Sequence, residues 1–153
     1  MNKLDHEFYM RKALLQAKIA FKKGEVPVGA VLVNSKGEIL SRGYNKIEKE
    51  KCQLAHAEAI AIKKACKKIK DWRLDNCLMY VTLEPCLMCL GLMKLSRIKG
   101  VIFGSTSTLF GLGINFDKLP IFYKKGFEVK GGVLKEESLG MLKQFFKLAR
   151  EGR

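Results

Sequence analysis

Four residues in two short segments carry the chemistry of this chain. His56 and Glu58 stand in an H-A-E tripeptide, and Cys86 and Cys89 stand in a P-C-L-M-C segment. One imidazole and two thiolates are good zinc ligands, and three protein ligands leave a tetrahedral ion one open position for water. Structural zinc sites are instead closed by four protein ligands. The two segments therefore predict a catalytic metal centre.

Glu58 is predicted to act beside the metal rather than as a ligand. Each segment lies where a helix is expected to begin, and two residues three apart on a first turn, such as Cys86 and Cys89, can face one point. Glu58 is two residues from His56, a spacing that does not share a helix face. We therefore expect Glu58 to contact water and to move protons between water and substrate as a general acid and base.

A closed structural site is the alternative reading of the same residues. Cys52 lies one helical turn before His56 and would complete a four-ligand set with Cys86 and Cys89. In that site Glu58 would have no chemical role. A lone C-x-x-C also occurs in redox motifs and structural zinc knuckles, so the prediction depends on both segments together.

Length and composition predict one domain in a reducing compartment. The 153 residues are enough to bury a core without disulfides, and we expect a single domain spanning 1–153. Five cysteines, an odd number, fit free thiols and metal ligands better than a disulfide framework. The first residues lack the apolar region of a signal peptide, and no apolar run reaches membrane-spanning length. We therefore expect a cytoplasmic protein without membrane contact.

The net charge of +14 leaves two interpretations open. Lysine pairs such as Lys63-Lys64, Lys67-Lys68 and Lys124-Lys125 are suitable for contacting phosphates of a nucleic acid. They are equally suitable for the solvated faces of helices. Charge alone therefore permits nucleic-acid binding and does not identify it.

The pattern of apolar residues predicts a three-layer α/β/α fold with a mixed sheet of about five strands. Two early strands joined by turn residues form a hairpin, and later strands alternate with helices, which favours parallel pairing. Such a sheet brings the starts of the two motif-bearing helices to one edge. The predicted helices are 6–23, 55–70, 86–95 and 136–150, and the predicted strands are 28–34, 38–44, 77–83, 99–104 and 127–130.

Two of these helices carry further expectations. In helix 55–70 an apolar stripe of Ala59, Ile62, Cys66 and Ile69 is expected to face the core. Helix 86–95 is apolar around most of its circumference, so we expect it to be buried, either within the layers or against a second subunit.

The chain resembles the bacterial tRNA adenosine deaminases of the cytidine-deaminase-like superfamily. The H-x-E…P-C-x-x-C pattern is the signature of zinc-dependent nucleobase deaminases. Flanking segments narrow the resemblance and extend it over nearly the whole length. These segments are H-E-F-Y-M-R-K-A-L from His6, E-V-P-V-G-A-V-L-V from Glu25, Tyr44-Asn45, A-H-A-E from Ala55, Y-V-T-L-E-P-C-L-M-C from Tyr80, Ser96-Arg97-Ile98 and F-F-x-x-x-R from Phe145.

The resemblance implies a cytidine-deaminase-like fold, a homodimer and hydrolysis of the wobble adenosine of a tRNA anticodon stem-loop to inosine. It implies one Zn²⁺ per subunit held by His56, Cys86 and Cys89, with Glu58 as the proton shuttle. It further implies that Asn45 contacts the base, which we favour over the alternative of an ordinary turn residue ending the hairpin. The remaining implied substrate residues are Val28, the backbones of Ala57 and Glu84, and Phe145, Phe146 and Arg150; for the two phenylalanines, packing of an amphipathic helix is an equal alternative.

One segment departs from the family pattern. Where the family has a charged segment followed by a small-residue loop, Ser105 to Asn115 is uncharged and carries Leu109 and Phe110. This departure keeps two other functions open: a free-base or nucleoside deaminase acting on guanine or cytosine, and a noncatalytic RNA-binding module with a structural zinc.

Overall fold

A mixed five-stranded sheet organises the chain. The computed structural model describes residues 5–106 and 116–152. Its strands are β1 Gly29–Val33, β2 Ile39–Tyr44, β3 Leu78–Leu83, β4 Gly100–Ser105 and β5 Glu128–Lys130. They lie in the order β2-β1-β3-β4-β5, and β1 is antiparallel to both of its neighbours while β3, β4 and β5 are parallel. The expected hairpin and the expected parallel pairing are both confirmed.

Helices cover both faces of this sheet. They are α1 His6–Lys22, α2 Ile47–Glu50, α3 Ala57–Ile69, α4 Leu87–Leu95, α5 Ile121–Lys124 and α6 Lys135–Glu151, with a 3₁₀ turn at Phe116–Lys118. One core cluster joins α3 and α4 to one face of the sheet, and a second joins α1 to the other face. The start of α6 packs beside β4 on the α1 side, where Val133 and Leu134 meet the second cluster. This is the predicted three-layer α/β/α fold.

The predicted elements all exist, with bounds within two residues of those observed. The short helices α2 and α5 and the 3₁₀ turn were not predicted. None of these three elements buries a residue, so each lacks the apolar periodicity by which a helix is recognised in a sequence.

The predicted buried face of α3 is confirmed only in part: Ile62 is buried and Cys66 packs partly buried against the core, whereas Ile69 does not. The helix mainly buries small residues, namely Ala57, Ala61 and Ala65, together with Glu58 and Ile62. Ile69 is 40% exposed. The reason is close packing on β2: a Cβ added to Gly43 would lie 2.4 Å from the Ala57 carbonyl oxygen and 3.0 Å from the Ala61 nitrogen. Alanines give a weak apolar signal, yet only small side chains allow this approach.

Helix α4 is only partly buried within this chain. Cys89, Leu90 and Met93 face the core, whereas Leu87 and Leu95 are 44% and 66% exposed. The expectation of complete burial within the layers is therefore wrong, because a helix in an outer layer covers the sheet with one face only. No helix within 5–106 or 116–152 is long and apolar enough to cross a bilayer.

The approach of β2 to α3 predicts a large cost for Gly43→Ala. We expect the free energy of unfolding to fall by about 1–3 kcal/mol, because an overpacked site must move backbone rather than a flexible side chain. Gly140→Ala is the matched control, since its Cβ meets nothing within 4 Å on an exposed turn of α6. That control should gain about 0.5–1 kcal/mol from helix propensity. Urea unfolding in the presence of zinc measures both, and equal stability of Gly43→Ala and the unsubstituted chain would contradict the packing described.

Candidate metal centre

His56, Cys86 and Cys89 meet in three dimensions. Their ligand atoms all lie within 4.8 Å of one another. The His56 Nδ1 atom is 3.7 Å from the Cys86 Sγ and 3.6 Å from the Cys89 Sγ. A tetrahedral zinc with bonds of about 2.3 Å to sulfur and about 2.05 Å to nitrogen separates these atoms by about 3.6 Å. The donor set and its spacing therefore fit one Zn²⁺.

The ends of two helices bring these ligands together. His56 and Cys86 are the residues that cap the N-termini of α3 and α4, and both have extended backbone angles. Neither side chain makes a capping hydrogen bond with its own helix, so both turn towards the shared point. Cys89 lies on the first turn of α4. Helix N-termini stabilise anionic groups, which favours thiolates here.

The surroundings of the two cysteines favour the thiolate form of Cys86. A hydrogen bond from Cys89, with a further contribution from His56, lowers the pKa of Cys86 to about 4. The same hydrogen bond to Cys86, together with burial, raises the pKa of Cys89. The hydrogen bond with Cys86 also raises the pKa of His56. Binding of a dication replaces these shared protons and favours both thiolates and a neutral imidazole.

Glu58 lies beside the three ligands without joining them. Its side chain is 4% exposed, and its carboxyl group interacts with the Cys89 thiol. Burial raises the pKa of the Glu58 carboxyl. A raised pKa makes this carboxylate a stronger base than an exposed one, which suits a group that takes up and returns protons.

Cys52 lies outside this cluster. It is exposed, and it is not among the residues whose ligand atoms converge on the metal position. Within the described part of the chain, the fourth corner is therefore not filled by Cys52, and the geometry favours the open site over the closed one.

Gln53 is a contact that the sequence did not reveal. Its Oε1 is 3.4 Å from the His56 Nε2. An acceptor at Nε2 favours the tautomer in which Nδ1 is free to bind metal. A glutamine three residues before a histidine has no distinctive pattern, so no signal in a single sequence identifies it.

A cavity of about 470 Å³ opens onto the metal cluster. It includes four of the predicted substrate residues, Val28, Asn45, Ala57 and Glu84. The remaining lining residues are Glu25, Val26, Ile47, Glu48, Gln53, His56, Glu58, Leu83 and Cys86. The cavity is thus formed by the start of β1, the ends of β2 and β3 and the starts of α2, α3 and α4.

Asn45 combines a structural role with a place in the cavity wall. Its Oδ1 accepts a hydrogen bond from the Ile47 backbone N–H at 3.1 Å, and its Nδ2 donates to the Val26 carbonyl at 3.1 Å. An amide nitrogen carries two hydrogens, so one of them remains for a second acceptor. The turn role and the base contact are therefore compatible.

The structure does not bring Phe145, Phe146 or Arg150 to the cavity wall. Phe145 packs edge-on against Phe21 of α1 with ring centroids 5.9 Å apart, and against Phe146 at 5.4 Å. Arg150 is exposed near the end of α6. Their role in substrate binding stays a prediction. Of the divergent segment Ser105 to Asn115, positions 107–115 lie outside the described residues.

Comparison with known proteins identifies the family to which the chain belongs. The sequence profile of the cytidine and deoxycytidylate deaminase zinc-binding region matches residues 3–105. The tRNA-specific adenosine deaminase of Bacillus subtilis (strain 168) is 45% identical over 148 residues, which cover 95% of this chain and 91% of the relative. The chain belongs to the zinc-dependent cytidine and deoxycytidylate deaminase family, in its tRNA-specific adenosine deaminase branch.

Solved structures of deaminases share the fold. A structure from a study of A-to-I editing by tRNA:A34 deaminases superposes with a TM-score of 0.79 at 33% identity, covering 88% of this deaminase and 99% of that chain. A guanine deaminase from Bacillus subtilis gives a TM-score of 0.66 at 33% identity, covering 76% of this chain and 79% of that one. Both are deaminases, so the enzyme class agrees across the comparisons and the substrate is the feature that distinguishes them.

The open three-ligand site predicts which cysteines zinc requires. Cys86→Ser should reduce zinc to well below one equivalent after dialysis against a mild chelator, because a hydroxyl is a poor replacement for a thiolate ligand. Cys52→Ser is the matched control and should retain about one zinc per chain. Mass-spectrometric metal analysis of both variants measures this. Loss of zinc from Cys52→Ser would favour the closed structural site instead.

Proposed function

We propose that this deaminase converts the wobble adenosine, A34, of a tRNA anticodon stem-loop to inosine with release of ammonia. The observation that carries the proposal is the position of Glu58, a buried carboxyl at the metal cluster where the cavity ends. The 45% identity to a tRNA-specific adenosine deaminase over 95% of the chain supports the choice of substrate. We propose that residues 1–153 act as a single deaminase domain.

His56, Cys86 and Cys89 are proposed to hold the single Zn²⁺ of each subunit. When bound at such a site, zinc acts as a Lewis acid and brings the pKa of water close to neutrality. The two thiolates and the neutral imidazole roughly balance the charge of the dication.

Glu58 is proposed to move the protons of the reaction. Hydrolytic deamination adds water at the amino-bearing carbon of the purine ring and releases ammonia, so the two protons of the water must be moved, one to the ring nitrogen and one to the leaving amine. The Glu58 carboxylate can take each of these protons in turn and return it, because a raised pKa makes it a stronger base towards water. A surface carboxylate with an ordinary pKa would be a weaker base.

The base is proposed to bind in the cavity, apart from its stacked neighbours. A nucleobase inside a stack cannot reach a buried centre, whereas an unpaired loop nucleotide can be turned out at low cost. Asn45, Val28 and the backbones of Ala57 and Glu84 are the proposed contacts with the base. Phe145, Phe146 and Arg150 are proposed to contact neighbouring nucleotides, in keeping with the family resemblance.

Lysines around the cavity are proposed to contact the RNA backbone. Lys46 and Lys49 flank Ile47 and Glu48, which line the cavity, and the exposed side of α3 carries Lys63 and Lys64. Phosphate contacts of this kind make binding weaken as salt concentration rises.

A free-base deaminase is the second candidate. The observation that favours it is the likeness to the guanine deaminase of Bacillus subtilis, together with the divergent segment Ser105 to Asn115. The lower identity and coverage of that match rank it below the tRNA substrate. A noncatalytic RNA-binding role with a structural zinc is disfavoured by the exposed position of Cys52.

A cytoplasmic homodimer is the proposed state of the enzyme. Five free cysteines fit a reducing compartment. Exposed apolar side chains on α4 and the adjoining α5 form a patch that a second copy would cover, with Leu95 66% and Ile121 71% exposed. Sedimentation at micromolar concentration should give a mass of two chains, and a monomer there would count against this assembly.

Removal of the Glu58 carboxylate should separate catalysis from metal binding. Glu58→Gln keeps the shape of the side chain, so zinc content should remain near one per chain. The rate of inosine formation in an anticodon stem-loop should fall by about 10²–10⁴-fold, the usual contribution of general acid–base catalysis. Mass spectrometry of the digested RNA measures inosine.

Two outcomes would overturn the proposal. Undiminished activity of Glu58→Gln would remove the proton-transfer role. Turnover of free guanine or cytosine by the unsubstituted enzyme, without inosine in the RNA, would select the free-base deaminase.

A further inference from the structure

Glu25 carries a buried carboxylate near the metal centre. The reaction proposed above gives this carboxylate no role. It is 2% exposed and lines the same cavity as Glu58. It follows Gly24, whose positive φ of 78° ends α1, and its own N–H donates to the Ala20 carbonyl at 2.9 Å. The backbone of Glu25 is therefore fixed to the end of α1, and its side chain is directed towards the cavity.

Both oxygens of this carboxylate bind the start of α2. The Glu48 backbone N–H donates to the Glu25 Oε1 at 2.9 Å, and the Lys49 backbone N–H donates to the Oε2 at 2.8 Å. Two hydrogen bonds from successive N–H groups to an ionised acceptor are strong, because each is assisted by charge and the pair also fixes orientation. The favourable dipole at a helix N-terminus adds to them.

The segment that these bonds hold has little else to stabilise it. Helix α2 has four residues, none of them buried, and ends at Lys51 with a left-handed backbone. A helix of one turn does not form by itself, because nucleation is unfavourable. The segment also lacks an apolar face for packing, so its position depends on polar contacts. Among the described residues, the segment also has side-chain contacts with Asn45, whose Oδ1 accepts from the Ile47 N–H, and with the Tyr44 ring, over which the Lys46 Nζ lies at 4.8 Å.

The same segment forms one wall of the cavity. Ile47 and Glu48 line it, and the segment connects Asn45 with Gln53 and His56, which line it as well. The Lys46 N–H donates to the Ala55 carbonyl at 3.0 Å, so the start of the segment is tied to the residues that lead into α3. A shift of α2 would therefore displace a wall of the cavity while leaving the cysteines of α4 in place.

We propose that Glu25 is a positioning residue whose carboxylate holds residues 46–51 as a wall of the base cavity, and thereby sets how tightly the enzyme binds its nucleotide. The effect on nucleotide binding rests on the function proposed above. The hold on the segment does not.

Amide hydrogen exchange, measured without substrate, tests whether the Glu25 carboxylate holds residues 46–51. In Glu25→Gln one oxygen is replaced by an NH₂ group, which faces an N–H and cannot accept from it. We expect exchange of the Glu48 and Lys49 amides to accelerate about tenfold or more, as for the loss of a hydrogen bond to a charged group. Amides of β1 and β3 should change far less. Zinc content should remain near one per chain.

Steady-state kinetics test whether residues 46–51 form a wall of the base cavity. A wall that contacts the bound nucleotide throughout the reaction contributes uniform binding, so its loss should raise KM for the anticodon stem-loop about tenfold with little change in kcat. Glu137→Gln is the matched control, because it removes the same charge from an exposed position of α6, away from residues 46–51 and outside the cavity lining. That control should leave both exchange and KM unchanged. If Glu25→Gln does not fold, Glu25→Asp retains the charge, and its side chain is too short to reach both N–H groups.

Three results would contradict the role of Glu25. Unchanged exchange at Glu48 and Lys49 would show that the segment is held otherwise, even if KM rises through direct contact with the base. Uniform acceleration across the sheet would show a general loss of stability. Local acceleration with unchanged KM would show that the segment is not a wall for the nucleotide. If the unsubstituted enzyme forms no inosine, the proposed function fails, while the exchange result still decides whether Glu25 holds the segment.

Discussion

The convergence of two helix N-termini on one point is the constraint on which the rest of the structure depends. His56 caps the N-terminus of α3, and Cys86 caps the N-terminus of α4. The spacing of their ligand atoms matches a tetrahedral zinc. Both helices pack on the same face of the sheet. The length of the segment between the preceding strand and each helix therefore determines where that helix begins. The close approach of Gly43 to α3 is part of this constraint, since a wider gap would move His56 away from the cysteines.

The distribution of charge differs between the cavity, where a base would bind, and the surface, where phosphates would bind. The chain carries a net charge of +14, yet four glutamates, Glu25, Glu48, Glu58 and Glu84, are among the residues that line the cavity. An acidic cavity favours an uncharged base over a phosphate, whereas the surrounding lysines favour the phosphates outside it. A nucleotide within an RNA loop satisfies both conditions, with its base inside and its backbone on the basic surface. Glu58 and Glu25 have different proposed roles within the cavity: Glu58 is proposed to exchange protons beside the metal, and Glu25 is proposed to fix a wall.

The sequence predicted those parts of the structure whose cause is local. The metal ligands follow from residue types at fixed spacing, and the long elements follow from apolar periodicity, so both were predictable. The alanine face of α3 was missed because close packing against Gly43 is a tertiary effect. Helix α2 was missed because it is held by a carboxylate distant in sequence, Glu25, whose partners are backbone N–H groups of any residue type. For the same reason neither Glu25 nor Gln53 could be assigned a role from one sequence.

X-ray absorption at the zinc edge of the purified enzyme examines the central claim most directly, because it counts the sulfur atoms around the metal. We expect two sulfur neighbours at about 2.3 Å, with the remaining neighbours being nitrogen or oxygen at about 2.0–2.1 Å. Three sulfur neighbours would contradict the open centre, since a third cysteine would then close the corner on which the proposed chemistry depends.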